Sequence, residues 1–293
     1  MLAWLAQRLP AVGDDAAAVA APKGQLVLCA DAAVAGIHAD LGVVGLDDLG
    51  WRAVTACLSD VAAMGGAAAW VLVTVSGELG VEAFSALYGG VLAAAAAGGC
   101  EVVGGDVTGG PGVVVGVSAV GVAPGVVPRT GARPGDAILC TGPLGAAAAG
   151  LAVLRAGQAA SHPHLAGAYR RPVARLAEGA TARRAGASAM IDVSDGLALD
   201  LRRLADASGV GVVVEDVPVA PGVGEVVGDP VATALGGGDD YELLITTPDP
   251  TSVVGAFAAE GLRPPLVVGR VTAEAGRHRL GDGPLPPLGW EHR

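Results

Sequence analysis

Residues 191–197 read Ile191-Asp192-Val193-Ser194-Asp195-Gly196-Leu197. An apolar strand ends at the first aspartate, two aspartates flank a serine, and Gly196 opens a segment of helical length, 197–208. Such a junction aims backbone N–H groups and the positive end of a helix dipole at one point, which suits an anion together with cations. A plain helix N-cap would explain Ser194 or Asp195 separately. The strand–turn–helix reading sets the class as α/β, in the broad sense that includes α+β.

The same alternation extends outward in both directions. Short apolar runs bounded by Gly or Asp predict strands at 27–29, 70–75, 102–103, 113–122, 137–140, 210–214, 242–247 and 266–268. Alanine-rich segments predict helices at 47–64, 81–97, 146–155, 172–185 and 197–208, the first with Asp47-Asp48 in its opening turn. The polar stretch RTGARPGD, 129–136, predicts a domain boundary, giving domains 1–128 and 129–293. At 293 residues, two domains can each bury a core. The opening MLAWLAQRLP has its arginine after the apolar run and reads as a helix fragment, not a secretory signal. The prolines at 284–287 predict an irregular tail.

Composition narrows the function. A net charge of -11 with 3% aromatics gives no basic stripe, which disfavours a nucleic-acid partner. Two uncharged stretches, 107–127 and 137–154, are broken by Gly109-Gly110-Pro111-Gly112, Pro124 and Thr141-Gly142-Pro143, so they predict buried strands and turns, not membrane spans. The four cysteines are widely spaced in apolar segments and form no CxxC pair, as expected of a reducing cytoplasm. There is no Walker A loop, since Lys23 lies in PKGQ, and no GxGxxG opens a helix.

Aspartate outnumbers glutamate 19 to 10, and Asp14-Asp15, Asp31, Asp60, Asp106, Asp192, Asp195 and Asp239-Asp240 fall at strand ends or beside glycine. Any one of these is ordinary turn chemistry, but together they suit Mg²⁺, which takes a few carboxylates plus water and phosphate oxygens. Asp60 sits near the end of a predicted helix, where the dipole disfavours a carboxylate and a bound cation would remove that cost. Gly104-Gly105-Asp106 could turn freed amides toward a phosphate. Arg129 could clamp nucleotide phosphates, and His38 could contact an acceptor. His162 and His164, in SHPH, read as a loop between helices, with no third metal ligand evident.

Taken in order, GDDAAAV (13–19), CADAAVAGIH (29–38), LSDVAAMG (58–65), VVGGDVT (102–108), RTGARPGD (129–136), TGPLGAAAAGL (141–151), IDVSDGL (191–197) and GGGDDYELL (236–244) resemble the thiamine-monophosphate kinase family. Its superfamily also holds aminoimidazole ribonucleotide synthetase and selenophosphate synthetase. The resemblance implies an N-terminal domain whose mixed sheet pairs across a homodimer, and a C-terminal α/β domain. It also implies phosphorylation of thiamine monophosphate by ATP. By position, Asp15, Asp31, Asp60, Asp106, Asp192 and Asp195 would hold several Mg²⁺ ions; Gly105, Asp106, Arg129 and Ser194 would contact ATP; His38, Asp239 and Trp290 would contact the thiamine phosphate. The alternatives are another ATP-dependent enzyme of the superfamily and a degenerate nucleotide-binding paralogue.

Overall fold

In this computed structural model, residues 4–5, 7–9 and 16–291 are described. The chain divides into two compact units, Met1–Val61 with Gly66–Gly125, and Ala62–Gly65 with Val126–Arg293.

The first unit is built on a four-stranded mixed sheet. Its elements are β1 (Gln25–Val34), α1 (Leu46–Ala63), β2 (Ala67–Ser76), α2 (Val81–Ala97), β3 (Glu101–Thr108) and β4 (Val114–Ala123). The strands are ordered β1-β4-β2-β3; β4 runs antiparallel to β1 and β2, and β2 pairs with β3 in parallel. Val71, Val73 and Val75 are buried while Leu72 and Thr74 between them are exposed, the period-2 signature of a sheet covered on one face.

α1 buries Leu49, Ala53, Val54, Cys57, Leu58 and Val61, a stripe at helical spacing, and carries Asp47 and Asp48 in its first turn. It meets α2 at very short range. A Cβ on Gly50 would lie 2.1 Å from the Leu87 carbonyl oxygen, and one on Gly90 would lie 1.8 Å from that of Asp47. Only hydrogens fit at these two points. Farther along, Phe84 stacks on Tyr88 and Trp4 presents its edge to both.

The second unit holds β5 (Ala137–Cys140), α3 (Ala146–Arg155), α4 (Pro163–Arg170), α5 (Leu176–Arg184), β6 (Ala189–Asp192), α6 (Leu197–Ser208), β7 (Gly211–Val214), α7 (Val223–Val226), α8 (Pro230–Gly236), β8 (Leu243–Thr247), α9 (Pro250–Ala259), β9 (Leu266–Thr272), β10 (His278–Leu280) and β11 (Gly283–Pro284). They form a sheet ordered β11-β10-β7-β9-β5-β8-β6. Alternation sorts its side chains into two cores. Ile138, Cys140, Ile191 and Leu244 pack with Leu197, Leu201 and Leu204 of α6; Leu139, Met190, Leu243 and Ile245 pack with Val253 and Phe257 of α9. A sheet buried on both faces explains why its strands read as continuous apolar runs.

The predicted elements at 81–97, 137–140, 146–155 and 197–208 have the bounds found. Three corrections apply. His162 and His164 do not share a loop: His162 is the N-cap of α4 and His164 lies inside it, because Pro163 at the first helical position starts a helix. The helix expected from 172 begins at Leu176. The tail expected to be irregular contributes the short strand β11, paired to β10. The uncharged stretches form strands, turns and α3, and among the described residues no helix is long and apolar enough to cross a membrane.

The α1–α2 contact gives a paired test. Gly89 is exposed with open space where a Cβ would go, whereas the adjacent Gly90 is buried against Asp47. Gly89→Ala should stabilise by up to about 1 kcal/mol through helix propensity. Gly90→Ala should destabilise by about 1–3 kcal/mol through overpacking. Denaturant unfolding of both variants measures this; equal effects would refute the close contact.

Candidate active-site residues

In the first unit the candidate metal-binding aspartates that are described occupy two places. Asp31 is exposed on β1, its Oδ1 accepting from the Ala32 N–H at 2.6 Å. Asp60 lies in the last turn of α1, at the negative end of the helix dipole. Both carboxylates bear on the thiol of Cys57. Its pKa is pushed far above the ordinary thiol range, first by its hydrogen bond with Cys29, then by burial, and further by the charges of Cys29, Asp60 and Asp31. Asp31 follows Cys29 by two residues on β1 and Asp60 follows Cys57 by three on α1, and the two sulfurs are 3.5 Å apart, so both aspartates lie beside the seam between β1 and α1.

Asp106 is elsewhere. Register carries Asp31 across Val117 and Val73 to Gly105, and Asp106 sits one residue further, opposite Thr74. β1 and β3 are the two edges of the sheet. At about 4.8 Å per strand, the strand backbones that carry them are about 14 Å apart. Gly105 has φ 153°, and a Cβ there would strike the Val73 carbonyl oxygen at 1.8 Å, so the position admits only glycine. Asp15 lies outside the described residues.

His38 closes a tight turn after β1. Its Nδ1 accepts from the Val34 N–H at 2.9 Å, and its carbonyl accepts from Arg52 Nη2 at 2.9 Å. An accepting Nδ1 leaves the proton of the neutral ring on Nε2, which makes that atom a hydrogen-bond donor.

In the second unit the β6–β8 pairing continues beyond the strand ends. Val193 N–H donates to the Glu242 carbonyl at 2.7 Å, Tyr241 N–H to Val193 at 2.9 Å, and Asp239 N–H to Ser194 at 2.8 Å. Trp290 N–H reaches the Asp195 carbonyl at 2.9 Å. Ser194, Asp195, Asp239 and Trp290 are thus brought together beside Asp192. Asp239 and Tyr241 have φ of 67° and 50°, and the Tyr241 hydroxyl donates to Asp239 Oδ1 at 3.1 Å. Two non-glycine residues in the left-handed region cost about 1–3 kcal/mol each, so this loop is held in place by its partners.

Those partners were not legible beforehand. Gly196, the N-cap of α6, has no side chain to cap with; Asp200, one turn in, reaches back and accepts from the Ser194 and Asp195 N–H groups at 3.1 and 2.9 Å. Arg203 then bridges Asp195 Oδ2 at 2.5 Å and Asp200 Oδ1 at 2.7 Å. Asp240 does the same for α3, accepting from Gly145 and Ala147 N–H at 2.6 and 3.1 Å. Glu242, buried, accepts from Thr141, Arg175 and Arg263. The Asp200–Arg203 spacing of i,i+3 on one helix face was the available signal. Arg129 is exposed, its carbonyl held by Ser208 Oγ at 2.8 Å.

Among the described residues, no group of three His, Cys, Asp or Glu side chains is arranged to hold a metal ion by itself.

The chain matches the models for AIR synthase related protein, N-terminal domain, over residues 13–123 and C-terminal domain over 133–280. Thiamine-monophosphate kinase of Halobacterium salinarum is 40% identical over 83% of each chain, and that of Aquifex aeolicus 33% identical over 96% of this chain and 92% of its own. The chain belongs to the thiamine-monophosphate kinase family. The solved kinase of Stenotrophomonas maltophilia superposes with a TM-score of 0.85 at 32% identity, covering 94% of this chain and 91% of its own. AaThiL complexed with AMPPCP and TMP gives 0.83 at 30% identity, covering 100% and 95%. Hydrogenase maturation protein HypE, at 20% identity and a TM-score of 0.77, shares the fold.

In this family member, two carboxyls are pushed up to about 7. For Asp200 burial is the main cause, with the Asp192 and Asp195 charges adding and the Asp195 N–H and Arg203 opposing; for Asp240 burial again leads. A folded-state pKa above the unfolded value of about 3.9 favours folding below that value, and the benefit is lost as pH rises through 7. The melting temperature should therefore fall between pH 4 and 7, and less steeply in Asp200→Asn. Parallel profiles for the two proteins would contradict the assignment.

Proposed function

We propose that the chain transfers the terminal phosphoryl group of ATP to the phosphate of thiamine monophosphate, giving ADP and thiamine diphosphate. The observation that carries this is family membership along almost the whole chain, with AaThiL, a fold-mate of 30% identity, complexed with AMPPCP and TMP. Residues 1–128 would form the ATP- and Mg²⁺-binding and dimerisation domain, and 129–293 the C-terminal domain.

The donor set suits Mg²⁺: short carboxylates, with Asp192 ending β6, Asp60 in the last turn of α1, and Asp31 and Asp106, expected at strand ends, lying within β1 and β3. Mg²⁺ needs only one or two carboxylates per ion when phosphate oxygens and water complete its shell, so no all-protein cage is required. Asp15, Asp31, Asp60, Asp106, Asp192 and Asp195 would hold several ions. When bound, Mg²⁺ would neutralise phosphate charge so that two anions can approach.

The chain's own groups do the positioning. Gly105 and Asp106, Arg129 and Ser194 would bind ATP; the Nε2–H of His38, with Asp239 and Trp290, would orient the acceptor. The acceptor phosphate is largely ionised near neutral pH, so no residue need take its proton. Transfer then rests on alignment and charge.

We place the enzyme in the cytoplasm as a homodimer joined through the first unit's sheet. Supporting the dimer, Leu26, Leu28 and Leu72 are 53%, 70% and 43% exposed on the first unit. Asp31 and Asp106 also lie on opposite edges of one sheet.

Purified protein with Mg²⁺, ATP and thiamine monophosphate should produce ADP and thiamine diphosphate, and Asp106→Asn should lower the rate roughly 100-fold or more with an unchanged melt. Absence of thiamine diphosphate from protein that binds ATP would overturn the reading. Sedimentation should give a dimer for the wild type and a monomer for Leu28→Arg; a monomeric wild type would remove the dimer.

A further inference from the structure

The seam that Asp31 and Asp60 face contains two sulfur atoms. Cys29 on β1 and Cys57 on α1 have their Sγ atoms 3.5 Å apart, and Cys29 Sγ also points at the Cys57 carbonyl at 3.2 Å. Cys57 is fully buried and Cys29 half-buried, so a small solute can reach the second before the first. A disulfide needs about 2.05 Å between sulfurs, so the two must approach by about 1.5 Å. The other two thiols, Cys100 and Cys140, point instead at the backbone carbonyls of Ala95 and Gly142. Along the strand, Asp31 follows Cys29 by two residues and shares its face. Along the helix, Asp60 follows Cys57 by three and shares its side.

We propose that Cys29 and Cys57 are an oxidative modification site: a hydroperoxide converts them to a reversible disulfide that pulls β1 and α1 together and disables Asp31 and Asp60 as a pair. In the first step, with hydrogen peroxide, the Cys29 sulfur attacks one oxygen, an S–O bond forms as the O–O bond breaks, and the departing hydroxide takes the Cys29 proton and leaves as water. In the second, slower step Cys57 attacks as a neutral thiol, because its pKa is raised; the S–S bond forms as the S–O bond breaks, and the Cys57 proton leaves with the hydroxyl as a second water. The two sulfurs are oxidised and the peroxide is reduced. Two molecules of a thiol such as dithiothreitol reverse the change. The effect on Asp31 and Asp60 rests on their proposed role in binding Mg²⁺; the crosslink itself does not.

The full-length reduced chain is treated with hydrogen peroxide, quenched and digested with trypsin and a protease that cuts before aspartate, which separates Cys29 in peptide 24–30 from Cys57 in peptide 53–59. The expected product is these two peptides joined, with thiols falling from four to two and returning after dithiothreitol. Mg²⁺ titration of the oxidised protein should show about tenfold weaker binding, and thiamine diphosphate formation should fall in parallel; Cys29→Ser, the less buried change, and Cys57→Ser should lose neither. Peroxide treatment that yields no 24–30/53–59 crosslink, or a crosslinked protein with unchanged Mg²⁺ affinity, would overturn the proposal. If the reduced wild type makes no thiamine diphosphate at all, the functional reading fails while the crosslink and titration still decide this one.

Discussion

The second unit depends on the antiparallel pairing of β6 with β8, carried past the strand ends by the backbone bonds of Val193, Asp239 and Tyr241. Two segments roughly fifty residues apart become neighbours, and with them Ser194, Asp195 and Asp239. Because the pairing is made by backbone, it is indifferent to the side chains it presents. The left-handed conformations of Asp239 and Tyr241 are then held by bonds made on the same ladder. Asp200 and Asp240 complete the arrangement from the flanks, Asp200 holding the turn amides of Ser194 and Asp195 ahead of α6 and Asp240 the first amides of α3. Their burial is tolerated because those amides, and Arg203 for Asp200, compensate it.

The first unit solves a different problem. Its sheet register fixes Asp31 and Asp106 on opposite edges, so a single ion cannot bridge them within that sheet. In the proposed function the two carboxylates would be separate footholds for Mg²⁺ ions along an extended polyanion such as a nucleotide triphosphate. The glycines at the α1–α2 contact let the helices draw close, and α1 in turn carries Asp60 to the seam with β1.

Much of the architecture was legible because burial on both faces of the second sheet leaves continuous apolar runs, and because alanine-rich helices such as 146–155 end cleanly at glycine or charge. The helices at 230–236 and 250–259 were not, because each opens with Asp-Pro, a pair that also signals a turn. Here Asp229 and Asp249 are N-caps accepting from the Ala232 and Ser252 N–H groups. The aspartates stood out by their glycine and apolar neighbours, although Asp31 and Asp106, expected at strand ends, lie within β1 and β3. Their grouping did not: that Asp31 and Asp60 share a seam while Asp106 lies across the sheet follows from register. The closeness of Cys29 to Cys57, separated by 28 positions, follows from the packing of a helix on a strand.

The most direct measurement of the central claim is a crystal structure of the chain with Mg²⁺, a non-hydrolysable ATP analogue and thiamine monophosphate. The account predicts metal ions bound to triphosphate oxygens and to carboxylates among Asp31, Asp60, Asp106, Asp192 and Asp195, with the acceptor phosphate against His38 and Asp239. A nucleotide bound without metal, or contacting none of these residues, would contradict it.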